Sequence, residues 1–214
     1  MRILFLGDIV GKPGYSAVLK HAEELRKKEQ LDALVVNAEN ASDGSGLMPR
    51  QYNRLLEAGV DAITLGDHIY RCREIIPVLE TSKRMVKPAN YPGDATGRTW
   101  TIVDTPAGPL GIISLLGRVY MRPVDCPFDA VDAALEEIGD ATKDLSKEKE
   151  IRCIGLIGGS KFFSPGADIK ELEKLDSKKA KKQKLFSKVD DLQKINIPII
   201  SFVEGYALGG GFEL

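Results

Sequence analysis

Five side chains able to hold a metal or carry a proton stand just after short apolar runs. Asp8 follows RILFLG, Glu39 and Asn40 follow LDALVVN, and Asp67 and His68 follow VDAITLG. Carboxylates, an amide and an imidazole gathered in one place suit a hard or borderline divalent cation such as Mn²⁺, Mg²⁺, Fe²⁺ or Zn²⁺. Two such ions a few ångströms apart could clamp a phosphoryl group and activate a water. A single Asp or Asn beyond a strand ordinarily serves as a turn residue or a helix cap. The weight therefore rests on three successive strand ends carrying such groups. Histidine is scarce, with His21 and His68 the only two, which limits any metal site. GDIVGKPG does not have the GxGxxG spacing of a dinucleotide loop, and Asp8 would repel a phosphate without a metal.

These residues need elements to position them. RILFLG (2–7) predicts a buried strand ending in glycine. Pro13 suits a first helical turn, and Val18, Leu19, Ala22 and Leu25 recur at helical spacing through Lys28. LDALVVN (31–37) predicts a second strand, PRQYNRLLEAG (49–59) a helix, VDAITLG (60–66) a third strand, and residues 100–117 two strands about a Pro/Gly turn. Strand–helix–strand alternation implies a layered α/β fold. In open sheets of this kind ligands bind at the carboxyl ends of the strands, where the five residues lie.

Bulk properties narrow the function classes. The 214 residues carry 43% hydrophobic and 29% charged side chains with a net charge of -1, an ordinary globular balance. Such a balance gives no general attraction for a nucleic-acid duplex or a membrane. The apolar run of MRILFLGDIV is broken at Asp8 and is too short for a signal peptide or a span. Cys72, Cys126 and Cys153 show no CxxC spacing, which predicts reduced thiols and a cytoplasmic setting.

The second part of the chain has another character. IRCIGLI (151–157) and IPIISFVEG (197–205) read as strands, SPGAD as a loop, and Asp168 onward as a helix start. The lysine-rich stretch 178–195 keeps Leu185, Val189 and Leu192 on one helical face, and its lysines read as a solvated face. Glycine-bounded loops after two strands can aim two backbone N–H groups at one oxygen, as an oxyanion hole requires. Gly209, Gly210 and Gly211 equally suit a tight strand-to-helix turn with close packing, and both readings stand at this point.

Two resemblances are specific. GDIVGKPG, NAEN, TLGDH, KPANYP and LLGRVYM, in this order, resemble the YmdB-like family of bacterial metallophosphoesterases over about residues 1–135. That resemblance implies a layered α/β/β/α fold and a two-metal centre hydrolysing phosphodiesters, including cyclic nucleotides. Asp8, Glu39, Asn40 and Asp67 fall on its metal-ligand positions, with Mn²⁺, Fe²⁺ or Zn²⁺ as the expected ion. His68 falls on the histidine that protonates the leaving group. The family usually has asparagine where Asp67 stands, and it draws further histidine ligands from its second half, whereas this chain has no histidine after His68.

FFSPGADIKEL followed by IPIISFVEGYALGGGFEL resembles the crotonase family, the enoyl-CoA hydratases and isomerases, over about residues 135–214. That resemblance implies an oxyanion hole from the backbone N–H groups of Ala167 and Gly210, and an acid–base role for Glu213. The stretch DAALEEIGD fits a helix of either family, so the expected join lies near Ala134 to Gly139, dividing the chain into 1–135 and 136–214. The fold class expected is α/β, an incomplete metallophosphoesterase half joined to an incomplete crotonase fragment. The expected function is that of a chimeric or truncated chain with neither active site complete. It would retain divalent-metal binding and at most weak metal-dependent phosphodiesterase activity on phosphodiesters or cyclic nucleotides. The alternative is an acyl-CoA binding or hydratase-like module. Exposed strand edges would favour self-association.

Overall fold

In a computed structural model, the structure describes residues 1–118, 122–127, 129–131, 133–134 and 137, and the strand residues 153–157, 162–164, 199–202 and 206–207. The first sheet is parallel throughout. It is formed by β1 (Ile3–Leu6), β2 (Ala33–Asn37), β3 (Ala62–Thr64) and β4 (Met85–Val86), in that order. Helices α1 (Gly11–Glu29), α2 (Pro49–Glu57) and α3 (Ile76–Thr81) connect its strands. A second sheet contains β5 (Trp100–Thr105) and β6 (Gly108–Ser114), an antiparallel hairpin, then β7 (Cys153–Ile157) and β9 (Ile199–Phe202), both parallel to β6. A short parallel pair joins β8 (Phe162–Ser164) and β10 (Tyr206–Ala207).

The period-two alternation of the strands explains the layering. On β2, Leu34 and Val36 join Val18, Ala22, Leu55 and Ile63 in one core, against the helices. Ala33 and Val35 face the other way and join Val86 of β4 and Val103, Leu110 and Ile112 of the second sheet. A parallel sheet covered on both faces requires apolar residues at every position of its central strand, and ALVVN is buried throughout. On α1 the buried residues Tyr15, Val18 and Ala22 form one stripe at helical spacing. Of the residues expected on that stripe, Leu19 packs only partly buried against the core, while Leu25 lines a groove with Phe5 and Leu6. The sheets are tied by Ser114, whose hydroxyl donates to Leu65 O at 3.0 Å, and by Ala89 N–H donating to Ser114 O at 2.7 Å.

Several boundaries differ from expectation for local reasons. Helix α1 begins at Gly11 rather than Pro13; Gly11 enters it with a φ of 57°, open to glycine, and donates its N–H to Asn40 O at 2.8 Å. Helix α2 ends at Glu57, with Gly59 (φ 93°) in the turn beyond it. The short strands β4, β8 and β10 and helix α3 were not expected. The helices expected at Asp168 onward and at 178–195 lie outside the described residues, as does the SPGAD loop except for Ser164, which ends strand β8. Among the described residues no helix is long and apolar enough to cross a membrane.

Candidate functional site

Because β1, β2 and β3 are parallel and aligned, with Leu6 beside Val36 and Asn37 beside Thr64, their carboxyl ends reach one edge together. The loops leaving that edge are interlocked. Ile9 N–H donates to Asn37 O at 3.0 Å, Ala38 N–H to Thr64 O at 3.1 Å, and Gly46 N–H to Glu39 O at 2.5 Å. The buried Asn37 accepts from Glu39 N–H through its side chain at 3.1 Å. Each loop thus fixes the next, and the side chains they carry are held before any ligand arrives.

Glu39, Asp67 and His68 are brought together, each offering one ligand atom within 4.8 Å of the others. Glu39 is 1% exposed, and its carboxylate accepts from His68 N–H at 3.1 Å. It lies directly over Gly66, where an added Cβ would stand 2.5 Å from Oε1 and closer still to Oε2. The missing side chain at Gly66 is therefore what makes room for this carboxylate.

Asp8 joins the group through Asn40. Asn40 Nδ2 donates to Asp8 Oδ2 at 2.6 Å, and Asn40 Oδ1 meets His68 Nδ1 in a short hydrogen bond. An ionised carboxylate only accepts, so Asn40 must turn its NH₂ to Asp8 and its oxygen to the ring. His68 Nδ1 is then the protonated nitrogen, and Nε2 carries the lone pair or a second proton. Asp67 Oδ2 stands 3.7 Å from Nε2 and forms an ion pair with it when the ring is doubly protonated. Burial raises the Asp8 carboxyl above its ordinary value; Asn40 and the His68 charge pull it down, and the Asp67 charge adds to the rise.

Of the expected site residues, Asp8, Glu39, Asn40, Asp67 and His68 converge. Ala167, Gly210 and Glu213 lie outside the described residues. Tyr91 was not foreseen. Its hydroxyl donates to Asp67 O at 3.4 Å. Its pKa is pushed up to about 12, first by burial and then by the charges of Asp67, Tyr70 and Glu39, with Arg122 opposing. Its position in KPANYP carries no local signal of this, since the contact is made across the sheet edge.

The donor set fits a divalent cation. The carboxylates of Glu39 and Asp67, with the Asp8 carboxylate held through the Asn40 amide, supply oxygen ligands with excess negative charge, and the His68 imidazole stands beside them. The bare face of Gly66 leaves the Glu39 carboxylate the space it needs.

Comparison with known proteins gives two matches that meet inside the chain. Residues 4–149 match the YmdB-like protein family, and residues 128–214 match the enoyl-CoA hydratase/isomerase family. A 2',3'-cyclic-nucleotide 2'-phosphodiesterase of Bacillus subtilis is 37% identical over 142 residues, covering 66% of this chain and 54% of that protein. The chain thus spans a little over half the length of that relative. A probable mitochondrial enoyl-CoA hydratase of Dictyostelium discoideum is 45% identical over 101 residues, covering 46% of this chain and 36% of that protein. A crystal structure of a hypothetical protein from Thermus thermophilus superposes with a TM-score of 0.61 at 34% identity, covering 74% of this chain and 58% of the other.

Proposed function

The chain belongs to the YmdB-like protein family, and from that premise we propose that residues 1–135 form a divalent-metal site that hydrolyses phosphodiesters, cyclic nucleotides among them. The observation that carries the proposal is the gathering of Glu39, Asp67 and His68 within 4.8 Å, with Asp8 tied in through Asn40. Mn²⁺, Fe²⁺ and Zn²⁺ are the ions these donors suit. Asp8, Glu39, Asn40 and Asp67 would hold the metal. When bound, it supplies Lewis-acid polarisation of the phosphoryl group and activation of water.

The remaining steps belong to the protein. His68 gives a proton from Nε2 to the leaving oxygen, because Nδ1 is committed to Asn40. Asp8 fixes the Asn40 amide and so fixes which nitrogen of His68 is free.

A thermal melt with and without excess Mn²⁺ tests the site. At a metal concentration a hundredfold above the dissociation constant, stabilisation is about 2.7 kcal/mol, or roughly 5–10 °C for a chain of this size. A transition indifferent to Mn²⁺ would refute the metal site.

A second reading rests on the match of residues 128–214 to the enoyl-CoA hydratase/isomerase family. We propose residues 136–214 as a crotonase-type part, in which Ala167 and Gly210 N–H groups would polarise an acyl-CoA thioester carbonyl and Glu213 would transfer a proton. Saturable binding of crotonyl-CoA supports it, and its absence sinks it.

A further inference from the structure

A lysine that the proposed reaction does not use is buried one residue beyond β4. Lys87 is 2% exposed, and its Nζ donates to Ala95 O at 2.6 Å. Burying an amine costs free energy unless it is paired, and the Ala95 carbonyl supplies the pairing. Burial lowers the pKa of this amine and the Asp94 charge opposes the fall; either protonation state keeps an N–H to donate. The Lys87 backbone N–H donates to Arg98 O at 2.8 Å, so one residue closes the loop 88–97 at its base and holds it at Ala95. Gly97, with a φ of 119°, lies against the same side chain, where an added Cβ would stand 3.4 Å from Lys87 Cβ.

The carbonyl next to the one that Lys87 holds reaches the metal site. Thr96 O accepts from the Tyr70 hydroxyl at 2.7 Å. Tyr70 belongs to the turn that carries Asp67 and His68, in which Ile69 N–H donates to Gly66 O at 3.2 Å and Arg71 N–H to His68 O at 3.0 Å. The same loop supplies Tyr91, packed edge to face on Tyr70 with centroids 5.9 Å apart and rings at 84°. The Tyr91 hydroxyl adds a long bond of 3.4 Å to Asp67 O. Asn90, fully buried beside it, ties the loop to the second sheet by donating to Leu116 O at 2.8 Å. The turn is thus stapled at Tyr70 and at Asp67, and both staples come from the loop that Lys87 holds.

We propose that Lys87 is a positioning residue for the metal site: its amine fixes the Ala95–Thr96 carbonyls, and Thr96, through Tyr70, fixes the turn that presents the Asp67 carboxylate and the His68 ring. The inference rests on the metal-site reading above and deepens it, giving a role to a residue outside the donor set. Glu39 is held by its burial at 1% exposure, whereas the Asp67 side chain is 42% exposed and relies on its turn. Partners that orient a ligand from behind commonly govern metal affinity by roughly 10–100-fold.

The test titrates Mn²⁺ by calorimetry into wild type, Lys87→Met, Tyr70→Phe and the double variant, with melts in EDTA run on each. Lys87→Met keeps an apolar stem and removes the donor. Tyr70→Phe keeps the ring against Tyr91 and removes only the hydroxyl. Each should weaken Mn²⁺ binding about tenfold, the low end of what losing an orienting partner costs. The double variant should lose no more than the worse single, since both cut one path. Leu55→Ala, which opens a cavity in the helix-side core, should lower the EDTA melt and keep the wild-type affinity. Wild-type affinity in Tyr70→Phe, or in Lys87→Met whatever its melt, overturns the proposal. Losses that add in the double variant mean two separate effects and also overturn it. A Lys87→Met chain that does not fold shows a structural role and has the same consequence. A wild type that takes up no Mn²⁺ fails the metal reading first, and the role of Lys87 falls with it.

Discussion

Replacing Gly66 with alanine should displace the Glu39 carboxylate while leaving the backbone free of strain. Gly66 is not among the glycines with positive φ, so alanine is conformationally acceptable there. The obstacle is space, because its Cβ would stand 2.5 Å from Glu39 Oε1 and 2.6 Å from Cδ, where ordinary contact begins at 3.4 Å. The carboxylate must therefore retreat by roughly an ångström, a misplacement that can cost about 10²-fold at a site whose groups must be aligned. Loss of ligand orientation typically weakens metal binding by roughly 10–100-fold. At a Mn²⁺ concentration that raises the wild-type melt by roughly 5–10 °C, the variant should gain about 1–5 °C. Overpacking should also lower the metal-free melt, by about 1–3 kcal/mol. Gly93→Ala serves as the control, since nothing lies within 4 Å of its added Cβ. Paired melts in EDTA and in Mn²⁺ read both effects. If Gly66→Ala keeps the full Mn²⁺ shift, the Glu39 carboxylate is not where the metal binds.

Asp8→Asn should stabilise the metal-free protein and remove its response to Mn²⁺. A carboxyl whose folded pKa is raised above its ordinary 3.8 contributes stability below that value and loses it as pH climbs through the folded pKa. The melting difference between variant and wild type in EDTA should therefore widen from pH 4 to 7, and a flat difference would contradict the burial argument. Asn90→Ala removes three side-chain hydrogen bonds at a fully buried position and strands the groups they served. Denaturant unfolding should show a loss on the order of 3 kcal/mol, and a loss under 1 kcal/mol would mean the 116–125 segment is held by something else. Leu55→Ala, in the core against α1, should cost about 2–5 kcal/mol by the same measurement.

The part of the site carried by strand ends was legible in the sequence. Asp8, Glu39, Asn40, Asp67 and His68 sit just past apolar runs, and parallel alignment necessarily brings such positions to one edge. The contacts that organise them were not legible. Nothing local in TLGDH says that Gly66 must be bare for a glutamate 27 positions earlier, nor in KPANYP that Asn90 clamps residues 26 and 35 positions ahead. Those are contacts between layers, which neither period-two nor period-3.6 patterning encodes. Strand β4 escaped notice for a related reason. With two residues it offers no alternation to detect, and its place is set by pairing Met85 and Val86 with Ile63 and Thr64.

The junction of the two family matches has a physical logic. The matches overlap over 128–149, and within that span Ala130, Val131, Ala133, Ala134 and Glu137 are helical. Val131 and Ala134 are buried, and Trp100 Nε1 donates to Glu137 Oε2 at 2.7 Å, so this helical text is attached to the hairpin strand β5. Beyond it, β7 lies parallel to β6 with Gly111 beside Ile154 and Ile113 beside Leu156. Adjacent parallel strands need a crossover between them, usually a helix, and a helix followed by an apolar strand meets that need whatever family supplied the strand. The second-family strand therefore extends the first-family sheet instead of starting a separate one. Gly155→Pro tests this. Gly155 lies between Ile112 of β6 and Ile200 of β9, so its N–H faces one occupied neighbour or the other, and proline removes it. If the sheet is continuous, the Mn²⁺-responsive transition should lose about 1–3 kcal/mol, a drop of several degrees. If that transition does not move, residues 1–135 hold their metal-responsive fold without β7, and the pairing across the junction contributes nothing to it.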